Sequence, residues 1–149
     1  MKTPPQNAPR AVVVGMGRTG LSVARYLHRQ GWRVAATDSR AEPPERAALS
    51  AISDELVLRA GGFDSSLLSD AQLVMASPGV ALNEPIFAAA RDRGIEIVGD
   101  IELFARAVDA PVVGITGTNG KSTVTTLLGR MAERAGVRVR VGGNLGQPA

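Results

Sequence analysis

Ala11-Val12-Val13-Val14-Gly15-Met16-Gly17-Arg18-Thr19-Gly20 is a short apolar run that breaks into G-x-G-x-x-G and then into a helical pattern. The three glycines do different things in such a turn. The first permits a tight reversal, the second lets backbone approach a diphosphate, and the third lets the helix lie close on the strand. Beyond the turn, Leu21, Val23, Ala24 and Leu27 recur at helical spacing over 21–30, and Gly31 stops the helix. Residues 33–37 read as a second strand with Asp38 at its end. Strand, glycine turn, helix and strand make a βαβ unit of a parallel sheet, which places the chain in the α/β class.

Outward from this unit the alternation continues. A short helix over 45–52, strands at 56–58 and 73–76, a Ser77-Pro78-Gly79 turn, a helix over 85–93 closed by Gly94, a strand at 95–98 and a helix over 100–108 follow in order. A second strand–loop–helix unit begins near 111. Its expected parts are a strand at 111–116, a helix over 121–135 with Val124, Leu127, Leu128 and Met131 on one face, and a strand at 137–141 after Gly136. The expected organisation is a Rossmann-like parallel-sheet domain over 1–98 and, over 99–149, the first βαβ unit of a P-loop ATPase domain. Two strands and one helix cannot bury both faces of a parallel sheet, so the second unit reads either as the opening of something longer or as a piece that closes its core in some other way.

Composition fits this architecture. Of the 149 residues 44% are apolar, 21% charged and only 3% aromatic, so the core must be built from Val, Leu, Ile and Ala. Lys and Arg outnumber Asp and Glu by 17 to 14 without any basic run, which argues against a nucleic-acid-binding arm. There is no cysteine, so disulfides and thiolate metal sites are excluded. No apolar stretch is long enough to insert in a membrane, and residues 1–10, with three prolines, lack the apolar centre of a signal peptide. A cytoplasmic location is expected.

The first glycine turn, with Asp38 beyond it, reads as a nucleotide-diphosphate site. Free N–H groups and the positive end of the helix dipole face the anion. The residues do not choose between NAD, whose ribose would take Asp38, and another ligand with a ribose and a diphosphate. Arg18 and Arg40 are either solvated surface or cations beside that diphosphate. His28 reads as ordinary surface on a polar face.

A second loop, Gly117-Thr118-Asn119-Gly120-Lys121-Ser122-Thr123, opens the 121–135 helix and ends as a Walker A motif does. In such loops backbone N–H groups cradle phosphates, the Lys (here Lys121) reaches the β- and γ-phosphates, and the hydroxyl of Ser122 can ligate Mg²⁺. The spacing is tighter than G-x-x-x-x-G-K-[ST], because position 115 is Ile rather than Gly. The acidic residue that a P-loop enzyme places on a later strand is missing.

Five stretches carry a family resemblance: 15–22 (GMGRTGLS), 76–80 (ASPGV), 94–104 (GIEIVGDIELF), 114–129, and 141–146 (VGGNLG). With them the chain resembles the ATP-dependent Mur ligases of peptidoglycan synthesis, over nearly its whole length. The Thr116–Lys121 stretch is similar to the variant phosphate loop of these ligases, which accounts for the tight spacing, and 99–104 favours the D-glutamate-adding branch. The resemblance implies ATP and Mg²⁺ as cofactors, and UDP-N-acetylmuramoyl-L-alanine and D-glutamate as substrates. Carried over by position, it implies that Gly15, Gly17, Arg18, Thr19, Gly20, Asp38, Ser39, Arg40, Ser77, Pro78, Gly79 and Asn144 hold the UDP substrate. Gly117, Thr118, Asn119, Gly120, Lys121, Ser122 and Thr123 would hold ATP. The implied reaction transfers the γ-phosphoryl of ATP to the substrate carboxylate, and the D-glutamate amine then displaces phosphate. On this reading the first loop takes a sugar nucleotide rather than NAD, and the 149-residue chain binds without catalysing.

Overall fold

The computed structural model describes residues 4–5 and 7–143, and divides the chain into two compact units, 1–105 and 106–149. The first unit is a five-stranded, all-parallel sheet in the order β3-β2-β1-β4-β5. Its strands are β1 (Arg10–Val14), β2 (Arg33–Asp38), β3 (Val57–Ala60), β4 (Ala71–Ala76) and β5 (Glu96–Gly99). Helices α1 (Arg18–Arg29), α2 (Arg46–Ser50), α3 (Pro85–Asp92) and α4 (Asp100–Ala107) connect or follow them, with a 3₁₀ turn at Ser65–Leu68.

Alternation along β1 explains the two faces. Ala11 and Val13 point to one side, with Leu21, Ala24 and Leu27 of α1 and Leu49 of α2. Val12 and Val14 point to the other, with Leu67 and Leu68 of the 3₁₀ turn and Ile86, Phe87 and Ala90 of α3. Both faces are covered, so β1 reads as a continuous apolar run.

Helix α1 starts inside the glycine turn, with Gly17 as its N-cap, three residues earlier than the apolar periodicity indicated. It ends as expected at Gly31, whose φ of +84° closes the last turn. The N–H groups of Gly31 and Trp32 donate to the carbonyls of His28 and Leu27, a Schellman closure. His28 corrects the surface expectation. It is only 6% exposed, because it continues the Leu21–Ala24 stripe, four residues on, toward the core. Its ring borders a cavity of about 490 Å³ under the N-terminal ends of the strands, with Arg10, Arg33, Ser53 and Leu56.

At that same end Asp70, just before β4, accepts from Arg10 at the start of β1 and from Arg33 at the start of β2, the latter at 2.8 Å. Burial opposes its ionisation, but Arg33 and Arg10 together hold the carboxyl below its ordinary range. Asp70→Asn is expected to cost about 0.5–1 kcal/mol, because these groups are partly exposed and screened. Urea melts at 0.05 and 1 M NaCl check this: the wild-type advantage should shrink in high salt, and a salt-independent gap would contradict the ion-pair account.

The second unit differs from expectation. Helix α5 (Lys121–Arg134) forms, but neither 111–116 nor 137–141 is a strand. Val112, Val113, Val137 and Val141 are 41–70% exposed, and so are Val124, Leu127, Leu128 and Met131 of α5, at 38–58%. Two parallel strands under a single helix bury too little to offset the entropy of ordering them. The β-branched residues are present, but among the described residues the pairing is not.

Candidate functional site

Ligands in open parallel sheets lie beyond the carboxyl ends of the strands, where the strand order reverses. Here that point falls between β1, which leads outward to β2 and β3, and β4, which leads to β5. Three connections meet there: the glycine turn after β1, the 77–79 turn after β4, and the residues after β2. The cavity beside His28 is at the opposite end of the sheet.

The glycine turn is fixed from both sides. Gly15 has φ +105° and donates its N–H to the carbonyl of Thr37 at 2.8 Å. A Cβ on Gly15 would lie 2.8 Å from the Ser77 side chain, and one on Gly20 only 2.0 Å from the Gly15 carbonyl oxygen. A Cβ on Gly17 would meet nothing within 4 Å, so this glycine faces open space. The Met16 side chain is fully buried and roots the turn in the core. On the β4 side Ser77, 8% exposed, donates its hydroxyl to the Gly15 carbonyl at 3.2 Å. Pro78 and Gly79 beside it are exposed.

Asp38 secures the β2 side. It is 2% exposed, and Oδ2 accepts from the Met16 N–H at 2.6 Å and from an Arg40 terminal nitrogen at 2.7 Å. Oδ1 accepts from the Arg40 backbone N–H at 2.9 Å and from Arg40 Nε at 2.8 Å. The Arg40 guanidinium, more than burial opposes it, lowers the Asp38 pKa to about 2, so the group is a carboxylate at neutral pH. Arg40 itself is 54% exposed by side chain, gripped on one edge with the rest of the guanidinium open. Ser39 and Arg18 are exposed and Thr19 is half-buried, all around the first turn of α1, where backbone N–H groups lack intrahelical acceptors.

Sequence reading did not identify Thr37. Its buried hydroxyl donates to the Gly62 carbonyl at 3.1 Å and accepts from the Asp64 N–H at 3.0 Å, pinning the loop after β3 beside Asp38. A Thr at the end of a strand is common, and partners 25 and 27 residues away leave no local signal.

The second loop belongs to the other unit. Gly120, the N-cap of α5, has φ +74°, and Gly117 has φ +151°. Lys121 curls back to donate to the Gly117 carbonyl, with the Thr118 carbonyl 3.5 Å from Nζ. Asn119, Ser122 and Thr123 are exposed. Asn144 lies outside the described residues.

The family model described as "Mur ligase MurD-like, N-terminal domain" matches residues 9–99. This span holds all five strands and the three connections at the switch point. The chain belongs to the MurD-like Mur ligases.

Among its relatives, the UDP-N-acetylmuramoylalanine–D-glutamate ligase of Nitrosococcus oceani is 57% identical over 145 residues, which are 97% of this chain and 32% of that protein. The ligase of the same name from Shewanella oneidensis is 50% identical over 93% of this chain and 32% of its own length. The chain thus spans about a third of the curated relatives it matches. Among solved structures, a pseudomurein peptide ligase type C from Methanothermus fervidus superposes with a TM-score of 0.57 at 28% identity, covering 86% of this chain and 26% of that one. The Mur ligase N-terminal domain therefore accounts for the parallel sheet and its order.

Proposed function

We propose that this chain supplies the sugar-nucleotide-binding domain, and the opening of the ATP-binding domain, of a cytoplasmic ligase. That ligase would add D-glutamate to UDP-N-acetylmuramoyl-L-alanine with ATP and Mg²⁺. The observation that carries the reading is that Asp38, at the switch point, holds both the Met16 N–H of the glycine turn and the half-exposed Arg40 guanidinium, beside a Gly17 whose Cβ would meet nothing within 4 Å. Backbone donors at the start of α1 and a cation suit a UDP diphosphate. The names of the relatives supply the substrate.

The geometry of Asp38 speaks against NAD. A dinucleotide ribose needs a carboxylate with lone pairs to offer, whereas both Asp38 oxygens already accept two N–H groups each. At the second loop, Lys121 would neutralise charge on the transferring phosphoryl group, and Ser122 offers the hard oxygen that Mg²⁺ takes. Mg²⁺ would add further neutralisation of phosphate charge there. In the proposed reaction the substrate carboxylate oxygen bonds to the γ-phosphorus as ADP leaves. The D-glutamate amine then bonds to the acyl carbon as phosphate leaves and the amine loses a proton.

Calorimetric titration of the chain with UDP-N-acetylmuramoyl-L-alanine and with NADH tests the reading. Saturable binding of the UDP compound and none of NADH is expected. Tighter binding of NADH would overturn it.

A further inference from the structure

We propose that the cavity under the amino-terminal ends of the strands is a second binding site, for a small carboxylate that carries a short apolar chain. It lies at the opposite end of the sheet from the glycine turn, so the inference stands apart from the nucleotide reading. Its volume of about 490 Å³ is room for a small organic ligand. Three elements bring polar groups to it: Arg10 starts β1, Arg33 starts β2, and His28 sits in the last turn of α1. His28 is the unusual member. It is only 6% exposed, and among the described residues its ring has no hydrogen-bond partner. Yet no fully buried side-chain nitrogen among those residues is left unpaired. The ring nitrogens are therefore the part of His28 that solvent reaches, and they reach it through the cavity that His28 lines. A buried imidazole is ordinarily paired within the protein, and here the pairing is left to an occupant.

The two arginines set the sign of that occupant. Both are held by Asp70, and one carboxylate leaves two guanidiniums with an excess positive charge. Of the five N–H donors of a guanidinium, the bond to Asp70 uses one in Arg10; in Arg33, Asp70 and the Ala8 carbonyl use two. Guanidiniums already fixed in this way present their remaining donors at little further cost in rotamer freedom. Val34, Leu56 and Val57 give the same cavity an apolar wall. Glu55, exposed, also lines it, and its charge opposes an anion with more than one negative charge. A single carboxylate for the arginines and the imidazole, with a short hydrocarbon for the wall, satisfies all of these groups.

The chain has one histidine and one tryptophan, and both report on the cavity: His28 lines it, and Trp32 precedes Arg33. Titration of the 149-residue chain with pentanoate, followed by NMR of the imidazole, is expected to give a saturable shift with a midpoint below about 10 mM. Pentanamide has the same shape without the charge, and inorganic phosphate has charge without the chain. Each is expected to bind about tenfold more weakly or worse. An unsaturable response of His28, equal binding of pentanamide, or equal or tighter binding of phosphate would overturn the proposal. Arg10→Gln removes one charge while Asp70 keeps Arg33, and is expected to weaken pentanoate about tenfold, read by Trp32 fluorescence. Arg25→Ala removes an exposed charge on another face of α1 and should leave the affinity within about twofold. Unchanged affinity in Arg10→Gln, or equal losses in the two variants, would also overturn it. Should Arg10→Gln fail to fold, the comparison of pentanoate with pentanamide on the wild-type chain still decides.

Discussion

Gly20→Ala is expected to lower the melting temperature of the first unit by about 10 °C or more, or to abolish its cooperative melt. A Cβ at this position would sit 2.0 Å from the Gly15 carbonyl oxygen and 3.3 Å from the Val13 side chain. The first of these is backbone, and it cannot step aside. Gly15 is held by its N–H to Thr37 and by the Ser77 hydroxyl on its carbonyl. Relief has to come from α1 moving off β1, which opens the layer of Leu21, Ala24 and Leu27. Overpacking of this kind costs about 3 kcal/mol or more when the neighbours are rigid, and for a domain of this size each kcal/mol is worth several degrees. The informative comparison is Gly17→Ala, three residues earlier in the same motif. Its Cβ meets nothing and its φ is −95°, open to any residue, so the only cost is that Ala is a poorer N-cap than Gly, about 1 kcal/mol or less. Differential scanning calorimetry should show Gly17→Ala melting within a few degrees of wild type. Equal losses for the two variants would refute the steric account of the third glycine.

The contrast shows which parts of the molecule could be read from sequence. The glycine turn, Gly31 as a helix stop and the apolar stripe of α1 are local patterns, and they fixed the βαβ unit because the partners lie within a few residues. The role of Asp38 was not legible. Its place at the end of β2 pointed to a ribose, while its actual partners are an amide 22 residues earlier and a guanidinium that folds back from two residues later. Nothing in the string distinguishes an arginine facing solvent from one facing a carboxylate. His28 departs from expectation for a smaller reason: a polar residue reads as belonging to the polar face, although position 28 continues the buried stripe of 21 and 24. The segments 111–116 and 137–141 show the converse limit. Their β-branched residues state a preference, but a parallel strand exists only where neighbours and covering helices complete it. A peptide in the second unit can thus carry a strand sequence without being a strand.

Asp38→Ala is expected to destabilise the first unit by about 2–3 kcal/mol at pH 7, and by progressively less in acid. The neutral-pH loss has two sources. The Met16 N–H belongs to a fully buried residue, and removing its acceptor leaves an unpaired donor away from water. Arg40 loses its partner but is half exposed and regains water, so its share is smaller. The pH dependence follows from the direction of the shift. The Asp38 pKa is depressed in the folded state, to about 2 from an ordinary 3.8, so folding favours the ionised form. The stability linked to that preference is complete above the unfolded value. It is lost as pH falls from about 5 through the folded value. It amounts to at most about 2 kcal/mol, and less because Arg40 is screened by solvent. Urea denaturation of wild type and variant at pH 7, 5 and 3.5 should therefore show equal gaps at the first two values and a narrower one at the third. A gap that stays constant down to pH 3.5 would mean that the carboxylate is not gripped as the geometry indicates. Asp38 would then need another explanation, as would the inward turn of the residue that a dinucleotide site points outward.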